Sequence, residues 1–126
     1  MHGSEWEKWG QVNPYFAVSS HEKYDRTRLN ESALNDFFDS GEALIGYVFD
    51  ILNKYFSVAT VETGLDFGCG TGRILVPMAS RVNKAIAVDI SASMLKEAQR
   101  NVEAKSLTNV KFVRCSSSLE GFSTEN

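Results

Sequence analysis

Three glycines at alternate positions, in the run Leu65-Asp66-Phe67-Gly68-Cys69-Gly70-Thr71-Gly72-Arg73, constrain this chain more than any other feature. A short apolar segment leads into them and Ile74-Leu75-Val76 leads out, which is the pattern of a strand turning sharply into a helix. Glycine is favoured where the backbone takes positive φ or must lie close to a ligand, because it has no Cβ to clash. The turn is therefore expected to receive a ligand against its main chain.

The flanking residues extend the pattern. Residues 61 to 67 read as a strand, and residues 84 to 89 as a second one, whose near-continuous apolarity suits a parallel sheet covered on both faces. Residues 110 to 115 read as a third, with Lys111 and Arg114 suiting a sheet edge. Between them lie two helical stretches. The first carries Ile74, Leu75, Met78 and Val82 on one side and should start late or bend near Pro77, which cannot donate a backbone hydrogen bond. The second, capped by Ser91 or Ser93, turns Met94, Leu95, Ala98 and Val102 inward.

Upstream, Leu29, Ala33, Leu34, Phe37 and Phe38 fall at helical spacing, and Ser40-Gly41 is expected to end that run. Leu44, Ile45, Val48, Phe49, Leu52, Tyr55 and Phe56 then form the apolar stripe of a second helix, N-capped by Ser40 and packed into the core. Alternating strands and helices with short connections imply right-handed crossovers between parallel strands. The expected fold is α/β: a partial doubly wound, Rossmann-like parallel sheet of strand order 3-2-1, preceded by two helices. Three segments follow: an N-terminal arm or lid over residues 1–28, a helical pair packing on the sheet over 29–57, and a βαβαβ half-domain over 58–126. The arm holds Trp6, Trp9, Tyr15 and His21 without a sustained period, and the serine-rich tail from Ser116 gives no further element.

The totals narrow the function classes. A chain of 126 residues, 43% hydrophobic and 23% charged, is one soluble domain or part of one. A net charge of -3 without a basic block argues against a nucleic-acid partner. No apolar run approaches the roughly 18 residues that span a bilayer, and the start lacks the features of a signal peptide, so a cytoplasmic location is expected. Cys69 and Cys115 stand far apart with no His or Cys at ligand spacing, so neither a disulfide framework nor a metal site is indicated.

In an open α/β sheet, ligands lie beyond the carboxyl ends of the strands. That rule gathers residues 66–72, 89–91 and 115–117 around one crevice. Asp89 ends the second strand, about twenty residues after the glycine turn, where a carboxylate accepts the hydroxyls of a ribose. A dinucleotide site spaces its glycines as G-x-G-x-x-G, but counting from Gly68 and Gly70 the third position is Arg73, and the Lys-Ser/Thr pair of a P-loop is absent too. A nucleoside ligand without a pyrophosphate is indicated.

Residues 65–72, together with Ala87-Val88-Asp89-Ile90-Ser91, resemble the glycine-rich and acidic ribose motifs of the class I S-adenosylmethionine (SAM)-dependent methyltransferases. Asn13-Pro14-Tyr15-Phe16 and Phe38-Asp39-Ser40-Gly41-Glu42 resemble, more weakly, the N-terminal helical region of small-molecule members. The resemblance implies that Asp66 and the backbone of Gly68, Cys69, Gly70, Thr71 and Gly72 hold the methionine portion of SAM. It implies that Asp89 takes the ribose hydroxyls and Ile90 packs on the adenine. Ser116 stands where the family often has an acid for the adenine amine. The cofactor would be SAM, with S-adenosylhomocysteine as its product, and the acceptor a small molecule. No dedicated nucleophile is required, since methyl transfer depends on alignment.

The family sheet has seven strands, and this sequence supplies three. The expectation is a truncated cofactor-binding half whose first strand is an open edge, with a homo-oligomer through that edge as a consequence. The alternative function is a SAM- or S-adenosylhomocysteine-binding module without turnover, or a truncated assembly fragment.

Overall fold

The computed structural model describes residues 3–116. Helix α1 (Gly3–Val12) and helix α2 (Pro14–Val18) are followed by a 3-10 turn at Glu22–Tyr24 and the long helix α3 (Glu31–Phe56). Strand β1 (Val61–Phe67), helix α4 (Leu75–Ala79), strand β2 (Val82–Asp89), helix α5 (Ala92–Ala104) and strand β3 (Val110–Arg114) complete the order. The three strands form one parallel sheet in the order β1-β2-β3, with Leu65 opposite Ile86 and Ala87 opposite Phe112. This is the expected half of a doubly wound sheet.

Gly64, Ala85 and Ala87 keep one sheet face low, so that α4 and α5 lie close upon it. A Cβ on Gly64 would stand 2.8 Å from the Met78 sulfur. Leu75, Met78, Ala79, Ala85, Ala87, Ala98 and Val102 form the buried cluster between sheet and helices, joined by Ile45 from α3. Pro77 falls inside the first turn of α4, where its missing N–H costs no helical bond. The helix is shorter than the apolar spacing suggested, because Val82 already belongs to β2.

The expected helical pair is one helix of 26 residues, N-capped by Asn30, whose Oδ1 accepts the Ala33 amide at 2.8 Å. Ser40-Gly41 does not break it. A Cβ at Gly41 would lie 1.9 Å from the carbonyl oxygen of Arg73, so this glycine serves a close approach of helix to chain rather than a helix end. Ser40 does not cap either: its hydroxyl donates to the Phe37 carbonyl at 2.7 Å and accepts from Arg73 Nη1 at 2.9 Å.

The stripe expected to be buried on this helix is covered in part. Ile45 is buried and Phe38 and Phe49 pack on the core, but Leu44, Val48, Tyr55 and Phe56 are exposed. The reason is length, since a helix of 26 residues packs against an α4 of five. The exposed β1 residues Leu65 and Phe67, at 45% and 49%, lie on the sheet face opposite the helices.

The N-terminal residues that lacked an apolar period are nevertheless helical. Tyr15 and Tyr24 set their rings edge-on against Phe37, each with centroids 5.2 Å apart, and with Ala33 they form a second buried cluster that ties the arm to α3. Helix α1 packs on α5. Among the described residues, no helix is long and apolar enough to cross a membrane. Residues 117 onward, including Ser117 of the expected crevice and the serine-rich tail, lie outside the described residues.

Candidate functional site

The strand-to-turn junction wraps the tip of β2. The Gly68 and Cys69 amides both donate to the Val88 carbonyl, at 2.7 and 3.0 Å, and the Gly72 amide donates to the Cys69 carbonyl. The Gly70 amide donates to Asp89 Oδ2 at 2.8 Å, while the Ser91 amide donates to Asp89 Oδ1 at 2.9 Å. Gly68, Gly70 and Gly72 take φ of 80°, 55° and 100°, the left-handed region that a side chain disfavours. At Gly68 an added Cβ would meet nothing within 4 Å, because the residue faces open space.

That space is a cavity of about 410 Å³, within the range of small-molecule sites. Gly68, Gly70, Asp89, Ile90 and Ser116 line it, so five of the sequence-derived site residues meet there. Of the others, Cys69, Thr71 and Gly72 turn elsewhere. Cys69 is part of the buried core and its thiol is pushed up by burial, with the Asp89 and Asp66 charges adding to the effect. Thr71 is fully buried with Oγ1 unpartnered, and its carbonyl accepts from Asn101 Nδ2 at 2.9 Å. An added Cβ at Gly72 would come to 3.5 Å of Val76, on the helix side. Asp66 precedes the lining residue Phe67, and its Oδ2 is buried without a partner.

Two consequences limit the ligand. The amides of Gly68, Cys69, Gly70 and Gly72 are all committed within the chain, so these four are not free to cradle a phosphate. Burial, aided by the charge of Asp89, pushes Asp66 from 3.8 up to about 6. A cation near this carboxyl would offset that desolvation, whereas an anion would add to it. Asp89 is 8% exposed, and each of its oxygens keeps a second lone pair beyond the backbone bond it accepts.

Of the remaining wall, Phe67 and Cys115 belong to the segments expected around the crevice, while the parts from α1, α2 and Met94 were not assigned from the sequence. Trp6 of α1 and Ala17 and Val18 at the end of α2 face the same cavity, with Phe67, Met94 and Cys115. An added Cβ at Gly70 would come within 2.7 Å of Val18, so the arm sits directly on the glycine turn. Tyr15 supports this from behind: its hydroxyl donates to Glu97 at 2.8 Å and accepts from Asn101 Nδ2 at 3.0 Å, the amide that also holds the Thr71 carbonyl. Cys69 and Cys115 are both free thiols.

Comparison with known proteins agrees with this architecture. Residues 65–125 match the family model described as a methyltransferase domain. The resemblance to a class I, Rossmann-like methyltransferase is borne out over that stretch. A tRNA/tmRNA (uracil-C(5))-methyltransferase of Campylobacter curvus is 33% identical over 60 residues, covering 48% of this chain and 16% of that protein. A 23S rRNA (uracil(1939)-C(5))-methyltransferase of Pasteurella multocida is 24% identical over 99 residues, covering 79% of this chain and 21% of that protein. The crystallised phosphoethanolamine N-methyltransferase 1 of Haemonchus contortus, in complex with phosphoethanolamine and S-adenosylhomocysteine, superposes with a TM-score of 0.59 at 17% identity. That likeness covers 90% of this chain and 20% of the other, and it concerns the fold.

The chain thus spans about a fifth of the length of these curated relatives. They also correct the partner expected from the sequence. A small-molecule acceptor with no nucleic acid does not stand against relatives that are tRNA and rRNA methyltransferases. The inference from charge failed for a physical reason: net charge reports on contacts to a phosphate backbone, and a chain spanning about a fifth of its relatives need carry none of them.

Proposed function

We propose that this chain is the cofactor-binding half of a SAM-dependent methyltransferase. The observation that carries the reading is the junction of the glycine turn with Asp89 at a cavity mouth, with four of the turn's amides spent internally and carboxylates close at hand. SAM suits such a site, because it combines a ribose with an ammonium and a sulfonium and has no phosphate. When bound, it supplies an activated methyl group on a sulfonium.

The residues then divide the work. Asp89 accepts the ribose hydroxyls with its spare lone pairs while its backbone bonds fix its orientation. Ile90 and Met94 offer apolar surface to the adenine, and Ser116 a hydroxyl at its edge. Gly68 lets the ligand approach the main chain, and Asp66 offers its unpartnered carboxyl oxygen to the ammonium of the amino-acid portion. Trp6 and Val18 exclude water from the other side. For the acceptor, the names of the relatives support an RNA base.

Calorimetric titration with S-adenosylhomocysteine tests the assignment. We expect binding at sub-millimolar concentration, and Asp89→Ala to weaken it by about 1.5 to 3 kcal/mol, the scale of hydrogen bonds to a charged group. Equal affinity in the variant would remove Asp89 from the site.

A further inference from the structure

Helix α1 carries an unusual face. Gly3, Trp6, Glu7 and Gly10 stand at i, i+3, i+4 and i+7, and so share one side of the helix. That side meets the β2–α5 connection at close range. A Cβ on Gly3 would come within 2.7 Å of Ile90 Cδ1, and one on Gly10 within 2.8 Å of Ser91 Oγ and 3.1 Å of the Met94 amide nitrogen. The two glycines let the helix down onto the loop.

Glu7 lands between them, on the first residues of α5. Its Oε1 accepts from Ser91 Oγ at 2.9 Å and from the Ser93 amide at 2.8 Å, and its Oε2 accepts from Ser93 Oγ at 2.5 Å. Ser91 is itself the N-cap of α5, fully buried, with its hydroxyl accepting from the Met94 amide at 3.1 Å. Its own amide holds Asp89 Oδ1, and Asp89 Oδ2 holds the Gly70 amide. An unbroken path of hydrogen bonds therefore runs from α1 to the glycine turn: Glu7, Ser91, Asp89, Gly70. Trp6, the neighbour of Glu7, faces the cavity beside Ile90 and Met94.

We infer that Glu7 is a positioning residue for the cofactor cavity: from α1 it holds Ser91, and through Ser91 the Asp89 carboxylate, while setting Trp6 as the cavity wall. The inference rests on the cofactor reading above. A negative carboxylate at the start of α5 suits the positive end of the helix dipole, which gives the contact its direction. Because α1 and the ligand meet the same loop, each stabilises the placement of the other, and the coupling is reciprocal.

The test uses the whole chain with Trp9→Phe, which leaves Trp6 as its only tryptophan. S-adenosylhomocysteine is titrated by calorimetry and by Trp6 emission into this background, into Glu7→Ala and into Glu7→Gln, with circular dichroism to establish that each is folded. Glu7→Ala is expected to weaken binding about tenfold and to abolish the ligand-induced change in Trp6 emission, since preorganisation of the loop is lost. Glu7→Gln keeps an acceptor oxygen and is expected to recover affinity to within about threefold, a loss confined to charge assistance.

A folded Glu7→Ala chain that binds as the background does, with the same Trp6 response, overturns the inference and leaves the cofactor reading intact. Should Glu7→Ala not fold, Ser91→Ala breaks the same path from within the loop, and undiminished affinity there overturns the inference equally. A background chain that binds no S-adenosylhomocysteine overturns the cofactor reading itself, and the inference with it.

Discussion

At the scale of single residues, the site turns on two carboxylates with opposite surroundings. Asp89 is buried with one amide held by each oxygen, whereas Asp66 has a buried oxygen with no partner and is pushed up to about 6. The sign of the consequence follows from that direction. Between its ordinary 3.8 and about 6, Asp66 is protonated in the folded chain and ionised in the unfolded one. Its contribution to stability is therefore most favourable below 3.8 and is lost as pH rises through 6. A bound ammonium reverses the preference and draws the proton off. Binding of S-adenosylhomocysteine near pH 6 is thus expected to release a proton, seen as a binding heat that varies with the ionisation enthalpy of the buffer. Asp66→Asn should abolish that variation, and a heat independent of buffer in the native chain would contradict the role given to Asp66.

At the scale of elements, the glycine that matters most lies in a helix rather than in the turn. Alanine in a helix interior is ordinarily favoured over glycine by about 1 kcal/mol. At Gly41 the new methyl would lie 1.9 Å from a backbone carbonyl oxygen of Arg73, an atom that cannot swing aside. Gly41→Ala is therefore expected to destabilise the fold by about 1 to 3 kcal/mol, the range for overpacking, as read by urea unfolding. A gain in stability would mean that α3 does not pack on the segment after the glycine turn as described.

The same residue explains what the sequence made legible and what it hid. Strands, turn and the carboxylate that ends β2 were readable because a parallel sheet writes itself as apolar runs, and the turn as glycines with positive φ. Gly41 looked like a helix end because a glycine chosen for close packing is identical in sequence to one chosen for a cap. Helix α1 was missed because its inward face is Gly3, Trp6, Glu7 and Gly10, which hydrophobic periodicity does not register. The spacing of those two glycines around a carboxylate, seven residues apart, was the available signal.

Across the whole molecule, the arm and the half-sheet converge on one cavity, and the long helix is tied to the chain just after the glycine turn. Tyr15 joins the arm to α5, Glu7 joins it to the β2–α5 loop, and Arg73 joins the glycine turn to α3 at Ser40. Away from the cavity, the outer half of α3 and Leu65 present apolar surface, and Phe67 carries that surface into the cavity lining. The chain covers about a fifth of the curated methyltransferases it matches, and within that share it joins the glycine turn to the acidic end of β2.

The central claim is that this junction binds SAM, and amide chemical-shift mapping tests it directly. On addition of S-adenosylhomocysteine to the isotopically labelled chain, the largest perturbations are expected at Gly68, Gly70, Asp89, Ile90 and Met94, together with the Trp6 indole. An unchanged spectrum at millimolar ligand, or perturbations gathered away from the carboxyl ends of β1 and β2, would contradict it.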